Sequence, residues 1–167
     1  MLISLLAIVS TVAALPTLDA ISGNATLSFS QFYDNPNGSL SDVVCSDGRN
    51  GMITKGIFEA DLWYRQLDIH VISIGYNTFG SLPGFPSIGG IFAITNFNSP
   101  KCGTCWEVTY AGTGNSVNIL AIDRASTGTF NVTLAAMNTL TNGQAVTLGN
   151  IPVTHTQVAP SQCLLVE

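Results

Sequence analysis

Charge is what this sequence has least of. Of 167 residues, five are Lys or Arg and ten are Asp or Glu, only 9% in all, for a formal net charge of -5. So few cations on an acidic chain leave no phosphate-binding surface, and a nucleic-acid partner is excluded. Long hydrophobic runs are scarce too. The apolar run at residues 2–14 is short, and no other reaches membrane-spanning length, so no membrane span is expected. There is no Ser/His/Asp signature and no phosphate loop. His155, in "VTHTQV", has no His or Cys neighbour at ligand spacing. Neither a metal nor a cofactor is therefore expected. What is present is 46% hydrophobic residues among many Gly, Ser, Thr and Asn. That balance argues against disorder and for a compact, β-rich, secreted protein of one domain.

The apolar run ends in small residues and is too short for a span, so residues 1–20 read as a secretory signal and short leader. Cleavage falls between residues 14 and 20. Export makes the four cysteines, Cys45, Cys102, Cys105 and Cys163, a framework of two disulfides with three pairings open. A Cys102–Cys105 bridge would close a very small loop and suit reversible redox chemistry. The other two pairings make "CGTC" a junction. Asn24, Asn37 and Asn131 each open an N-glycosylation sequon.

Period-two patterning and turn residues predict one strand from residue 24 to 33, then strands at 105–110, 116–123, 144–148 and 152–158. "AGTGN" joins two of them as a hairpin turn. The Gly- and Pro-dense residues 79–100 are shaped loop with short strands. One helix is expected at residues 133–140, started by Thr133 and stopped by Asn142-Gly143. Several short strands and one short helix imply a small β-barrel or sandwich.

Taken together, "CSDGRNG", "PGFPSIGG", "NSPKCGTCWEVTY", "SVNILAIDRASTGTFNVTLAAMNTL" and the late Cys163 resemble the cerato-platanin family of small secreted fungal proteins. The resemblance covers most of residues 29–163. It implies a mainly β fold: a six-stranded double-psi β-barrel, as in expansins, with one or two short helices. It implies the pairings Cys45–Cys102 and Cys105–Cys163. It further implies chitin or other wall oligosaccharides as partners, a place in the fungal cell wall and outside the cell, elicitation of plant defence through host surface receptors, and a monomer able to self-assemble.

Residues 57–75, "IFEADLWYRQLDIHVISIG", break the resemblance. Relatives pass almost directly from a stretch like "NGMITKG" to one like "YNTFGSLP". Residues 21–167 thus read as one barrel carrying a non-family insertion. The codons of Gly56 and Gly75 permit a retained intron here, which sequenced transcripts test. Without the insertion and leader, acidic residues fall from ten to six and basic ones from five to four, leaving a net charge of -2.

Glycoside hydrolysis needs two carboxylates across the sugar. Asp123, after the apolar "VNILAI" and beside Arg124, reads as a partly buried, paired carboxylate. It matches an aspartate lining the family's sugar-binding surface; holding the "DRASTG" turn is its other role. Asn131 stands where expansin-like barrels carry a second aspartate, and an amide cannot exchange protons. The chain therefore reads as a non-enzyme that binds oligosaccharide through Asp123, Asn131 and Arg124. Tyr33, Ser46 and Asp47 match positions near the family's groove, with packing or turn capping as the other role of Tyr33 and Ser46. Trp106 reads as core. The alternatives are an expansin-like wall-loosening protein or weak glycan-active enzyme, and a surface-active, self-assembling wall protein.

Overall fold

Ile151, Val153 and His155 are buried and alternate with exposed Pro152 and Thr154. That period of two lays one face of β6 (Asn150–Val158) inward. The computed structural model describes residues 21–55 and 76–165, and six strands among them. The others are β1 (Ser22–Phe29), β2 (Ile88–Ile91), β3 (Cys105–Tyr110), β4 (Asn115–Arg124) and β5 (Thr129–Val132). They close into a barrel in the order β1-β5-β2-β4-β3-β6. β1–β5 and β2–β4 run parallel, and the other neighbours antiparallel. Closure leaves no unpaired edge. The six-stranded barrel implied by the resemblance is the fold, and both implied disulfides are present. The leader at 1–20 and the insertion at 57–75 lie outside the described residues.

β4 carries the run Ile119-Leu120-Ala121-Ile122, fully buried. An unbroken apolar run needs cover on both faces. The barrel interior supplies one, and α1 (Leu134–Thr141), with Met137 and Leu140 fully buried, packs on the other. α1 starts where Thr133 Oγ1 accepts the Ala136 N–H at 3.1 Å, and ends at Asn142, left-handed with φ 52°. Asp34 adds a second cap, its Oδ1 accepting the Leu134 N–H at 2.8 Å. β2 reads "IGGI" and lies between β4 and β5. A side chain at Gly89 would collide with the Asn131 carbonyl and come within 2.8 Å of Val132 Cα, so only glycine lets β2 fit there.

Two expectations change, and one strand is added to those expected. The first strand stops at Phe29, because Ser30 Oγ accepts the Phe32 N–H at 3.3 Å and turns Gln31–Asp34 into a 3-10 helix. Residues 144–148 are not a strand. Ala145–Leu148 forms the helical turn α2, closed by Leu148 N–H to Gln144 O and Gly149 N–H to Ala145 O. Residues 129–132 form β5, too short for its alternation to stand out.

Trp106 is core: it is fully buried, and its Nε1 donates to Thr104 Oγ1 at 2.8 Å. Its ring joins Phe92, Phe130 and His155 in one cluster, with the His155 ring 5.1 to 5.5 Å from the other three. His155 is 6% exposed, and its Nδ1 has no hydrogen-bond partner among the described residues. Burial therefore holds its pKa below the ordinary 6.5. The folded state resists a proton that the unfolded chain accepts. Stability is then expected to be flat at neutral pH and to fall as pH drops below about 6.5, where unfolded histidine titrates. Thermal unfolding of the parent and of His155→Phe from pH 7.5 to 4.5 checks this. The parent's midpoint should fall faster, and parallel curves would refute the account.

Candidate functional site

Period two sends Phe130 and Val132 of β5 into the barrel and Asn131 outward. In register, Ser28 of β1 lies opposite Asn131, Asn131 opposite Gly90 of β2, and Gly90 opposite Asp123 of β4. Directly opposed residues share a face. Ser28, Asn131 and Asp123 thus form one polar row across four strands, with Gly90 as a gap in it. The Ser28 hydroxyl is 3.5 Å from Asn131 Oδ1. A side chain at Gly90 would come within 3.1 Å of the Tyr33 hydroxyl and 2.9 Å of the Arg124 carbonyl. The glycine therefore opens the space through which Tyr33 reaches Asp123.

Asp123 is half-buried and held by three donors. The Tyr33 hydroxyl donates to Oδ2 at 2.9 Å; Val44 N–H and Arg124 N–H donate to Oδ1 at 3.0 and 2.8 Å. The expected pairing with the Arg124 side chain is replaced by this set. Only the Arg124 backbone meets the carboxylate, while its guanidinium Nη1 is 3.5 Å from Thr95 O. Tyr33 is buried, and its ring lies 5.1 Å from Phe32 and 6.1 Å from Phe79. It offers no open face for a sugar and instead positions Asp123. Burial first, then the neighbouring Asp123 charge and the hydrogen bond to it, raise the Tyr33 pKa well above its ordinary value. The phenol is therefore a fixed donor at physiological pH.

Beside the row lies an open groove of about 590 Å³, lined by Ser28, Thr129, Asn131, Arg124 and the turn at 125–127. Of the sequence-derived candidates it brings together Asn131 and Arg124, with Asp123 adjacent in the chain. Ser46 and Asp47 are not among its lining residues. They sit on a turn closed by Met52 N–H to Cys45 O and Gly51 N–H to Gly48 O, and tied by Asn50 to Asn98. Ser28, Ser126, Thr127 and Thr129 were missed by sequence reasoning; the outward phase of β1 and β5 is the signal that points to Ser28 and Thr129. Hydroxyls, an amide and a guanidinium around an open groove suit hydrogen bonding to a polar ligand. Among the described residues no cluster of three or more His, Cys, Asp or Glu could hold a metal ion. Likewise, no described helix is long and apolar enough to cross a membrane.

The cerato-platanin family model matches residues 25–165. The chain is 43% identical over 150 residues to the Allergen Asp f 15 homolog of Arthroderma benhamiae, covering 90% of this chain and 63% of that protein's length. Cerato-platanin 3 from M. perniciosa superposes with a TM-score of 0.71 at 43% identity, covering 86% of this chain and all of that one. The solution structure of the fungal elicitor Cerato-Platanin gives 0.63 at 33% identity, covering 83% of this chain and 96% of that one.

Proposed function

The chain belongs to the cerato-platanin family, and from that premise we propose that it is a secreted, non-catalytic carbohydrate-binding protein. Its ligands are chitin-type oligomers of N-acetylglucosamine, its place is the fungal wall and the space outside it, and it acts there as an elicitor of plant defence. The observation that carries the reading is the outward row of Ser28, Asn131 and Asp123 beside the polar groove. An amide and a hydroxyl on one flat face match the acetamido and hydroxyl groups of such sugars. The same row supports the absence of hydrolysis. Asp123 and Asn131 flank Gly90, so they stand two strands or about 10 Å apart. That separation is close to what a carboxylate pair would need, yet one position holds an amide that cannot exchange protons. The groove buries little apolar area, so affinity should be modest.

Titrating the isotope-labelled protein with the N-acetylglucosamine hexamer tests the reading. Saturable backbone shifts are expected at Ser28, Arg124 and Asn131. No saturable shift up to millimolar ligand, or release of reducing ends from chitin, would overturn it.

A further inference from the structure

We propose that Asn131 is an N-glycan acceptor and that a glycan on it closes the groove. The proposal rests on the reading of a secreted protein whose groove binds carbohydrate. The sequence Asn131-Val132-Thr133 is a sequon. The side chain it would modify lines the groove, half-exposed and outward-facing. Its Oδ1 is 3.5 Å from the Ser28 hydroxyl, and Nδ2 makes no hydrogen bond to the described residues. Joining a sugar to Nδ2 therefore breaks no bond of the fold. The groove is open, so the folded barrel tolerates the product. The first sugars of that chain nevertheless start inside the groove, where a ligand would have to lie.

The transfer is a substitution. The amide nitrogen of Asn131 attacks the anomeric carbon of a lipid diphosphate-linked oligosaccharide. The nitrogen–carbon bond forms as the carbon–oxygen bond to the diphosphate breaks. The lipid diphosphate leaves, and the amide proton passes to base. Thr133 fixes when this happens. Its hydroxyl is part of the acceptor signal, but in the fold it is fully buried, donating to Pro86 O at 2.6 Å and accepting from Ala136 N. Transfer must precede the docking of Thr133, so glycosylation competes with folding. The chain then leaves the cell in two forms, one with the groove open and one with it filled. Asn24 and Asn37 open the other two sequons. Both are exposed, and neither lines the groove, so glycans there leave binding unaffected.

The test uses the full chain with Asn24→Gln and Asn37→Gln, secreted from a eukaryotic host so that lectin retention reports Asn131 alone. Glycopeptide mass spectrometry should find both bare and glycosylated Asn131. The bare fraction should bind the N-acetylglucosamine hexamer saturably, and the lectin-retained fraction at least tenfold more weakly. A wholly unmodified Asn131, or equal binding by the two fractions, would overturn the proposal. If neither fraction binds, the carbohydrate reading fails and the gate with it, while the acceptor role still stands or falls on the glycopeptide.

Discussion

Replacing Cys45 and Cys102 together by alanine is expected to lower the unfolding free energy by about 4 kcal/mol, and replacing Cys105 and Cys163 by nearly the same amount. The two bridges span 57 and 58 residues. Cross-linking a loop of that size removes about 4 kcal/mol of chain entropy from the unfolded state. The alternative Cys102–Cys105 bridge would close a loop too small to contribute much in this way. All four cysteines are at least 97% buried, so alkylation under mild reductant without denaturant should leave them unlabelled. The bridges also do different structural work. Cys45–Cys102 holds the turn at 45–51 against the loop before β3, next to the Val44 N–H that anchors Asp123. Loss of this bridge should therefore weaken oligosaccharide binding as well as stability. Cys105–Cys163 ties β3 to the 3-10 turn Pro160–Cys163, away from the groove, and its loss should spare binding at temperatures where the barrel stays folded. Urea unfolding followed by tryptophan fluorescence, with the hexamer titration on each variant, separates the two. A loss below about 1 kcal/mol for either pair would show that the unfolded chain is already compact enough to make the cross-link redundant.

Local chemistry made some of this molecule legible and left the rest hidden. β3 was readable to its ends, because Gly103 and Thr104 precede it and the "AGTGN" turn follows it. The helix was readable because Thr133 and Asn142-Gly143 mark its ends with residues that only a cap explains. "QAVTL" misled because β-branched residues in a five-residue window say little. Backbone bonds to Gln144 and Ala145 decide that segment, and they depend on the approach of α1. The disulfide pairing could not be read from Cys102 and Cys105 themselves, whose spacing equally suits a redox pair; only the family resemblance chose between them. The site shows the same division. Asp123 and Asn131 stood out by type and neighbourhood. The partners that give Asp123 its role, Tyr33 and Val44, lie 90 and 79 residues away in the chain, and Ser28 lies 103 residues from Asn131. The barrel closes those distances by placing β1 beside β5 and the loop after β1 over β2, which no local pattern reports.

Asp123→Ala is expected to destabilise the barrel by about 3 kcal/mol and to weaken oligosaccharide binding at least tenfold, whereas Asp123→Asn should cost about 1 kcal/mol. The alanine variant leaves the buried Tyr33 hydroxyl and the N–H groups of Val44 and Arg124 without their acceptor. Each loses a charge-assisted bond, and Tyr33 is a buried residue. Asparagine keeps one oxygen for the two N–H donors and turns an amide toward Tyr33, whose oxygen can accept. The variant removes the negative charge while burial persists, so the Tyr33 pKa should fall but stay above that of free tyrosine. Ultraviolet titration of the phenol reads this directly. Binding then separates the two roles of the residue. A carboxylate has about four acceptor positions, and the fold occupies three of them. One remains for a sugar hydroxyl, on the face Asp123 shares with Asn131. If that fourth position contacts ligand, Asp123→Asn should weaken binding several-fold with the barrel intact, because a charge-assisted bond becomes an ordinary one. If Asp123 only braces Tyr33 and the turn at 44–45, Asp123→Asn should bind as the parent does, and only the alanine variant should fail, in proportion to its lost stability.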